Sequence, residues 1–340
     1  MELIEMIKQP AFCVQDNKIV ACNHSAQARQ ITTESNLDDL LGEHADAYKA
    51  FVDGVLYLQI TADGENFNAT ITRTTNGDVF LLDTIFTDSA LQAMALSSQH
   101  LRNQLSSVMV QAVERLDQEE DGSIIRGLYR LQRMLCNMSD LPLYRSKPAP
   151  TEMLELGAAV QEIMEKANTL LSEADYHIDY VAPKDMLFAC GDYEMLERAI
   201  FNLLSNAAKH SPKGSTFKTS LTGNGKVASI SIEDSGSGIS SELYGNLFTR
   251  YQREPSIEDG LCGIGLGMSL VQSVAAFHGG TVLITRTANG GTRVVLSISM
   301  RTPKEPQLRS PTFRFSDYAG GNDHGLLEFS DILPPKMYSK

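Results

Sequence analysis

The chain has 340 residues, of which 42% are hydrophobic and 21% charged. That is room for two or three domains of about 100 to 150 residues, so a single small disulfide-stapled fold is excluded. Apolar runs such as residues 79–82 fall far short of the roughly 20 residues a bilayer needs, and the first ten residues carry Glu2 and Glu5 in place of a basic start and an apolar block. No integral membrane segment and no export are expected, and a cytoplasmic location is. Forty-two acidic against 29 basic residues give a net charge of −13, and residues 1–88 alone hold 14 acidic and five basic side chains. Such a field repels phosphate backbones, so nucleic acid is not an expected partner. Cys13, Cys22, Cys136, Cys190 and Cys262 are odd in number and form no Cys-x-x-Cys pair, which signals neither a disulfide framework nor a zinc site.

Residues 1–88 alternate short apolar runs with turns, at 11–14, 19–22, 55–60, 67–72 and 79–86, with Asp63-Gly64 and Asn76-Gly77 as turn dipeptides. The pattern predicts an antiparallel sheet with helices inserted between residues 25 and 52. Phe12-Cys13-Val14, a polar turn, Ile19-Val20 and then Asn23 resemble the opening of a PAS sensor domain. PAS pockets can hold haem or flavin, but His24 and His44 read as solvated loop histidines, and no cofactor is expected there.

From residue 89 the period changes. Leu91, Met94, Leu101, Leu105, Val108 and Ala112 recur at helical steps to about residue 117. After the polar break at residues 119–122 a second seam runs through Ile125, Leu128, Leu131, Leu135 and Met138. Together they predict an antiparallel helical hairpin, which a homodimer would complete as a four-helix bundle. Residues 143–150, with Pro148 and Pro150, read as the linker out of it.

Residues 151–301 read as α/β. The sequence predicts a strand at 154–157, a helix at 158–173, a strand near 178–181 and a helix from an Asp192 N-cap to His210. A strand at 227–232, a helix at 268–277 and a hairpin turning at Asn289-Gly290 follow. Residues 302–340 hold five of the twelve prolines and read as a tail, largely disordered or loosely docked. Within it Leu326, Leu327, Phe329, Ile332 and Leu333 form an apolar cluster that predicts docking of residues 325–334.

Four pieces of this third region carry chemistry. In Asn202-Leu203-Leu204-Ser205-Asn206-Ala207-Ala208-Lys209-His210, the two amides and either Lys209 or His210 share a helix face. Amide oxygens suit Mg²⁺ that bridges nucleotide phosphates, and an ammonium suits the phosphate charge. Asp234-Ser235-Gly236-Ser237-Gly238 follows a strand, where a carboxylate can accept from an adenine amino group and the glycines allow close approach to the backbone. Gly263-Ile264-Gly265-Leu266-Gly267 opens a helix whose free amides can cradle phosphates. Between these, Phe248, Arg250 and Arg253 begin a polar loop.

In their order and spacing along the chain the pieces resemble the N, G1, F and G2 boxes of the sensor histidine kinase ATP-binding domain, an α/β sandwich shared with chaperone and mismatch-repair ATPases. The likeness extends to Gly191-Asp192, to His278-Gly279-Gly280 and to the Gly290-Gly291-Thr292 hairpin. It implies ATP and Mg²⁺ as ligands. Asn206 would hold the metal, Asp234 the adenine and Lys209 a phosphate, and residues 254–262 would form the lid. Asn202, His210, Gly236, Gly238, Phe248, Arg253, Gly263, Gly265 and Gly267 would line the nucleotide. His278 reads as a structural cap at a helix end. The whole chain is thus expected to be an α+β multidomain protein with a sensor domain at 1–88, a dimerisation and phosphotransfer hairpin at 89–146, an ATP-binding domain at 151–301 and a tail at 302–340.

The phosphoacceptor box departs from the family. That box runs His, acid, Leu, Arg, Thr or Asn, Pro, Leu, whereas this chain has Gln99-His100-Leu101-Arg102-Asn103-Gln104-Leu105, with Gln99 at the histidine position and His100 at the acid. At about 100° per residue Gln99 lies roughly 150° and His100 roughly 110° from the core direction, on opposite flanks. His100 is the candidate acceptor, passing its phosphoryl group to a response regulator. The rival is an ATP-binding pseudokinase, in which Asn103 (counting from Gln99) or Gln104 (counting from His100) would orient water for dephosphorylating that regulator.

Overall fold

The computed structural model describes residues 2–5, 7, 9–74, 77–82, 96–106, 108, 122–146, 150, 152–238, 266–300 and 323–338. In the first region, after a short α1 (Glu2–Glu5), the strands are β1 (Ala11–Gln15), β2 (Lys18–Cys22), β3 (Val55–Ala62), β4 (Glu65–Thr74) and β5 (Gly77–Leu82). Between β2 and β3 lie α2 (His24–Gln27), α3 (Leu37–Leu41), a 3-10 turn and α4 (Ala45–Ala50), as the spacing of turns predicts. The β1–β2 loop has Asp16 and Asn17 at φ 47° and 61°, and the β3–β4 loop has Asp63 and Gly64 at φ 51° and 77°. Two successive positive φ values define the tight hairpin turn that matches strand twist. Asn76 lies outside the described residues. His24 is exposed as expected, but His44 is only 8% exposed, because the 3-10 turn carrying it packs against β3.

In the second region residues 96–106 form α5, and α6 spans Gly122–Ser146. Residues 91–95 and 109–121 of the expected hairpin lie outside the described residues. Arg102 on α5 meets α6 at Asp140 (3.6 Å) and at the Cys136 sulfur (3.9 Å). The predicted linker at 143–150 starts too early, since α6 continues through Pro142 to Ser146. It can do so because its last turns are fixed from outside, Asp140 and Tyr144 both receiving Arg198. The predicted seam is only partly what α6 buries, since Ile125 is in the core and Leu128 packs against it but the rest of the inner face is different. Its inner face is Ile125, Tyr129, Gln132, Arg133, Cys136, Asn137 and Asp140, whereas Leu131 is 47% exposed.

The third region contains β6 (Met153–Glu155), α7 (Leu156–Ser172), β7 (His177–Val181), β8 (Phe188–Cys190), α8 (Tyr193–His210), β9 (Thr216–Gly223), β10 (Val227–Glu233), α9 (Leu266–Phe277), β11 (Val282–Arg286) and β12 (Thr292–Ser299). The strand expected at 154–157 stops at Glu155, whose carboxylate caps α7 by accepting the amides of Gly157 and Ala158 at 2.9 and 2.6 Å. Asp192 caps α8 through the Met195 amide at 3.2 Å.

The strands of the first and third regions join in one sheet of order β2-β1-β5-β4-β3-β11-β12-β10-β9-β7, with β6 and β8 in a separate pair. At the junction Val55, Leu56 and Tyr57 pair antiparallel with Ile284, Leu283 and Val282. Because side chains alternate across a strand, Val55 and Tyr57 point into the core of the third region while Leu56 enters the core of the first, which Leu283 joins from the other side. A Cβ on Gly54, at φ 90°, would lie 2.1 Å from the Ile284 carbonyl oxygen.

The C-terminal segment corrects the expectation of a loose tail. Residues 301–322 lie outside the described residues, but α10 (His324–Glu328) and the turns up to Tyr338 pack between α6, α7 and α8. Leu327, Phe329 and Leu333 are fully buried, and the Phe329 ring meets that of Phe201 of α8 at a tilt, with centroids 5.1 Å apart. The apolar cluster has enough surface to offset ordering the segment.

Candidate functional site

The polar face expected on α8 divides along its length. Asn202 is fully buried; Asn206 and Lys209 are half-buried and His210 is exposed. The Asn202 amide nitrogen donates to the Arg198 carbonyl and to Glu328 Oε2, both at 3.0 Å, while its oxygen accepts from Arg133 Nη2 at 3.2 Å. One turn on, Asn206 Nδ2 faces the Met268 sulfur at 3.6 Å, which leaves the carboxamide oxygen, the atom a hard cation takes, at the other end of the group. Lys209 Nζ stands 2.5 Å from Asp331 Oδ2.

The turn after β10 is built around Asp234. Its Oδ1 accepts the amides of Gly236 at 2.8 Å and Thr292 at 3.0 Å, which fixes the carboxylate at the strand end. The glycines are needed for contact with the chain's own backbone. A Cβ on Gly236 would be 2.4 Å from the His210 carbonyl oxygen, and one on Gly238, at φ 72°, would be 2.2 Å from that of Gly290. The closeness expected at both positions is therefore taken up by α8 and by the β11–β12 turn. Gly267 lets the start of α9 approach α8, since a Cβ there would lie 2.8 Å from Asn202 Oδ1. Phe248, Arg253, Gly263 and Gly265 lie outside the described residues.

Asn202, Asn206 and Lys209 thus lie along the C-terminal half of α8, with Gly267 against Asn202 and Gly236, two residues past Asp234, against the His210 carbonyl. The donors fit Mg²⁺ in kind: a neutral amide oxygen at Asn206 with an ammonium one turn away suits a metal carried by a polyphosphate. Among the described residues no group of three or more His, Cys, Asp or Glu could hold a metal. On the other side of the hairpin contact, His100, Asn103 and Gln104 are all exposed. The His100 Nε2 lies 3.1 Å from the Gln104 amide nitrogen, and no carboxylate touches the ring among the described residues.

Sequence reasoning missed the ionic cluster behind α8. Arg198, fully buried, donates to Glu328 (3.1 Å), Asp140 (2.5 Å), Asn137 (2.8 Å) and Tyr144 (3.0 Å). Burial works against its charge, yet Tyr144, Asp140 and Glu328 hold its pKa well above the usual range. Arg133 donates to Glu328 and Asp331, each at 2.9 Å. The available signal was Glu328 and Asp331 set inside an apolar cluster, since carboxylates are buried only where cations receive them. His278 is the cap expected of it, because its Nδ1 meets the Val274 carbonyl at 2.7 Å.

Residues 191–302 match the family described as "Histidine kinase-, DNA gyrase B-, and HSP90-like ATPase". The sensor protein KdpD of Clostridium acetobutylicum is 29% identical over 193 residues, which are 55% of this chain and 21% of KdpD. The sensor-like histidine kinase SenX3 of Mycobacterium tuberculosis is 28% identical over 238 residues, 65% of this chain and 53% of SenX3. Among solved structures, histidine kinase ThkA in complex with the response regulator TrrA gives a TM-score of 0.44 at 16% identity, covering 90% of this chain and 99% of that one. The chain spans between 12% and 53% of the length of the first curated relatives it matches.

Proposed function

We propose, from the premise that residues 191–302 are an ATP-binding domain of the histidine kinase type, that this two-component sensor kinase autophosphorylates His100 from Mg-ATP and passes the phosphoryl group to a response regulator. The observation that supports the reading is that Asn206 and Lys209 lie in the last turns of α8, whose terminal His210 carbonyl packs against Gly236 in the turn that Asp234 opens. On this reading Asp234 accepts from the adenine amino group, Lys209 meets a phosphate and Asn206 holds Mg²⁺. The metal, when bound, offsets charge on the transferring phosphoryl group. Residues 1–88 act as a PAS-like sensor, in keeping with the five antiparallel strands and the helices between β2 and β3. The protein works as a homodimer in the cytoplasm. Leu101, Val108, Ile124, Leu131 and Leu143 leave an exposed apolar face on α5 and α6, and a second copy would cover it as a four-helix bundle.

The His100 ring favours a second reading. Its neighbour is the Gln104 amide, not a carboxylate able to hold the other ring nitrogen for in-line attack. In this reading the chain binds ATP as a conformational control and dephosphorylates its regulator, with Asn103 or Gln104 placing the water. Incubation with labelled ATP and Mg²⁺ separates the two. Acid-labile label lost in His100→Ala supports the kinase, whereas bound nucleotide without label removes it. Asp234→Asn should abolish most ATP binding, because the amide brings a donor toward the adenine amine at a cost of about 1 to 3 kcal/mol. Wild-type affinity in that variant would overturn the site assignment.

A further inference from the structure

Two carboxylates of the C-terminal segment sit on residues of the proposed nucleotide site. Asp331 Oδ2 is 2.5 Å from Lys209 Nζ, and Glu328 Oε2 accepts from the Asn202 amide at 3.0 Å. Both are also held by Arg133 of α6, and Arg130 adds a contact to Asp331 at 3.2 Å. A carboxylate at this distance satisfies the charge that a phosphate oxygen would otherwise bring to Lys209. Two anions cannot share one ammonium without a large repulsion in a half-buried site.

We propose that residues 323–338 form an intramolecular competitor of Mg-nucleotide, in which Asp331 takes the place of a phosphate at Lys209 and must leave before ATP can bind there. The proposal rests on the reading of Lys209 as the phosphate contact. The apolar anchor of Leu327, Phe329 and Leu333 keeps the segment at hand, while Asp331 lies at its polar edge. Because Arg133 binds Glu328, Asp331 and Asn202 together, withdrawing Asp331 also removes one of the bonds tying α6 to α8. Nucleotide occupancy is thereby coupled to the helix that pairs with the one carrying His100. Thermodynamic linkage makes the effect reciprocal: whatever factor the segment takes from ATP affinity, ATP takes from docking of the segment.

The test uses the full chain, with Mg-ATP binding measured by calorimetry for wild type, Asp331→Asn and Lys209→Ala. Amide exchange of residues 326–333 is followed in wild type with and without saturating Mg-ATP. Asp331→Asn is expected to bind at least about fivefold more tightly, Lys209→Ala more weakly, and Mg-ATP to accelerate exchange in the segment. An Asp331→Asn affinity within twofold of wild type, or exchange that Mg-ATP leaves unchanged, overturns the competitor while a weakened Lys209→Ala keeps the nucleotide site. Unchanged affinity in Lys209→Ala overturns the phosphate contact and the competitor with it. Should Asp331→Asn fail to fold, the exchange measurement on wild type decides alone.

Discussion

The ring of His278 accepts the backbone N–H of Asp192 at Nε2, 3.0 Å away, and so ties the end of α9 to the N-cap of α8. The contact at Nδ1 to the Val274 carbonyl fixes the tautomer that leaves Nε2 as an acceptor. Gly191 is needed beside it, because a Cβ there would come within 3.0 Å of the ring. His278→Ala should destabilise the protein by about 1 to 3 kcal/mol, the range for stranding a buried donor. A denaturant midpoint equal to that of wild type would show that the bridge contributes nothing.

The junction between the two halves of the long sheet depends on Gly54. In Gly54→Ala the new methyl would collide with the Ile284 carbonyl, and φ 90° is unfavourable for alanine. Faster amide exchange is expected at residues 55–57 and 282–284, with exchange in β9 and β10 unaltered. Equal protection at the junction in variant and wild type would refute the account.

Gln272 is 1% exposed on α9, and neither end of its amide meets a partner among the described residues. Replacing it with methionine, which fills similar space without a polar group, should raise stability by about 1 to 3 kcal/mol. Thermal unfolding of Gln272→Met measures this, and a lower midpoint would mean that the amide has a role in folding.

Docking of the C-terminal segment should be sensitive to acid. Burial pushes the Asp331 carboxyl up, but Lys209, Arg133 and Arg130 outweigh it and hold the value below the ordinary one. A depressed carboxyl pKa contributes stability that is complete above the unfolded value of about 3.9 and is lost as pH falls through the lower folded value. Tyr338, whose ring lies 5.0 Å from that of Tyr129, reports on the segment in a chain without tryptophan. The near-UV tyrosine signal should hold down to about pH 4 and decline below it. Asp331→Asn should flatten that decline, and an identical acid profile in the variant would assign it to other carboxylates.

Much of this was legible because it is local. Asp63-Gly64 announces its turn and Asp192 its helix, since each depends on spacing within a few residues. The orientation of α6 was not legible. Its seam of Ile125, Leu128, Leu131, Leu135 and Met138 reads as a buried face, yet only its first half packs on the core and the helix gives Arg133 and Asp140 to the C-terminal segment and to α8. That choice is made by cations and carboxylates far apart in sequence, which periodicity cannot pair. The meeting of β3 with β11 was hidden for a similar reason. Both strands alternate like any others, and nothing within either sequence states which edge it will find.

That meeting has a consequence for how the protein can be divided. A sheet edge is a row of unsatisfied backbone donors and acceptors that will recruit another strand when left open. Here β3 and β11 each cover the other's edge along residues 55–57 and 282–284. Fragments separated between residues 82 and 152 would each carry one newly opened edge, with Val55 and Tyr57 on one stripped of the third region's core and Leu283 on the other stripped of the first region's. Each half shields the other from aggregation, by a ladder of main-chain bonds that survives most changes of side chain.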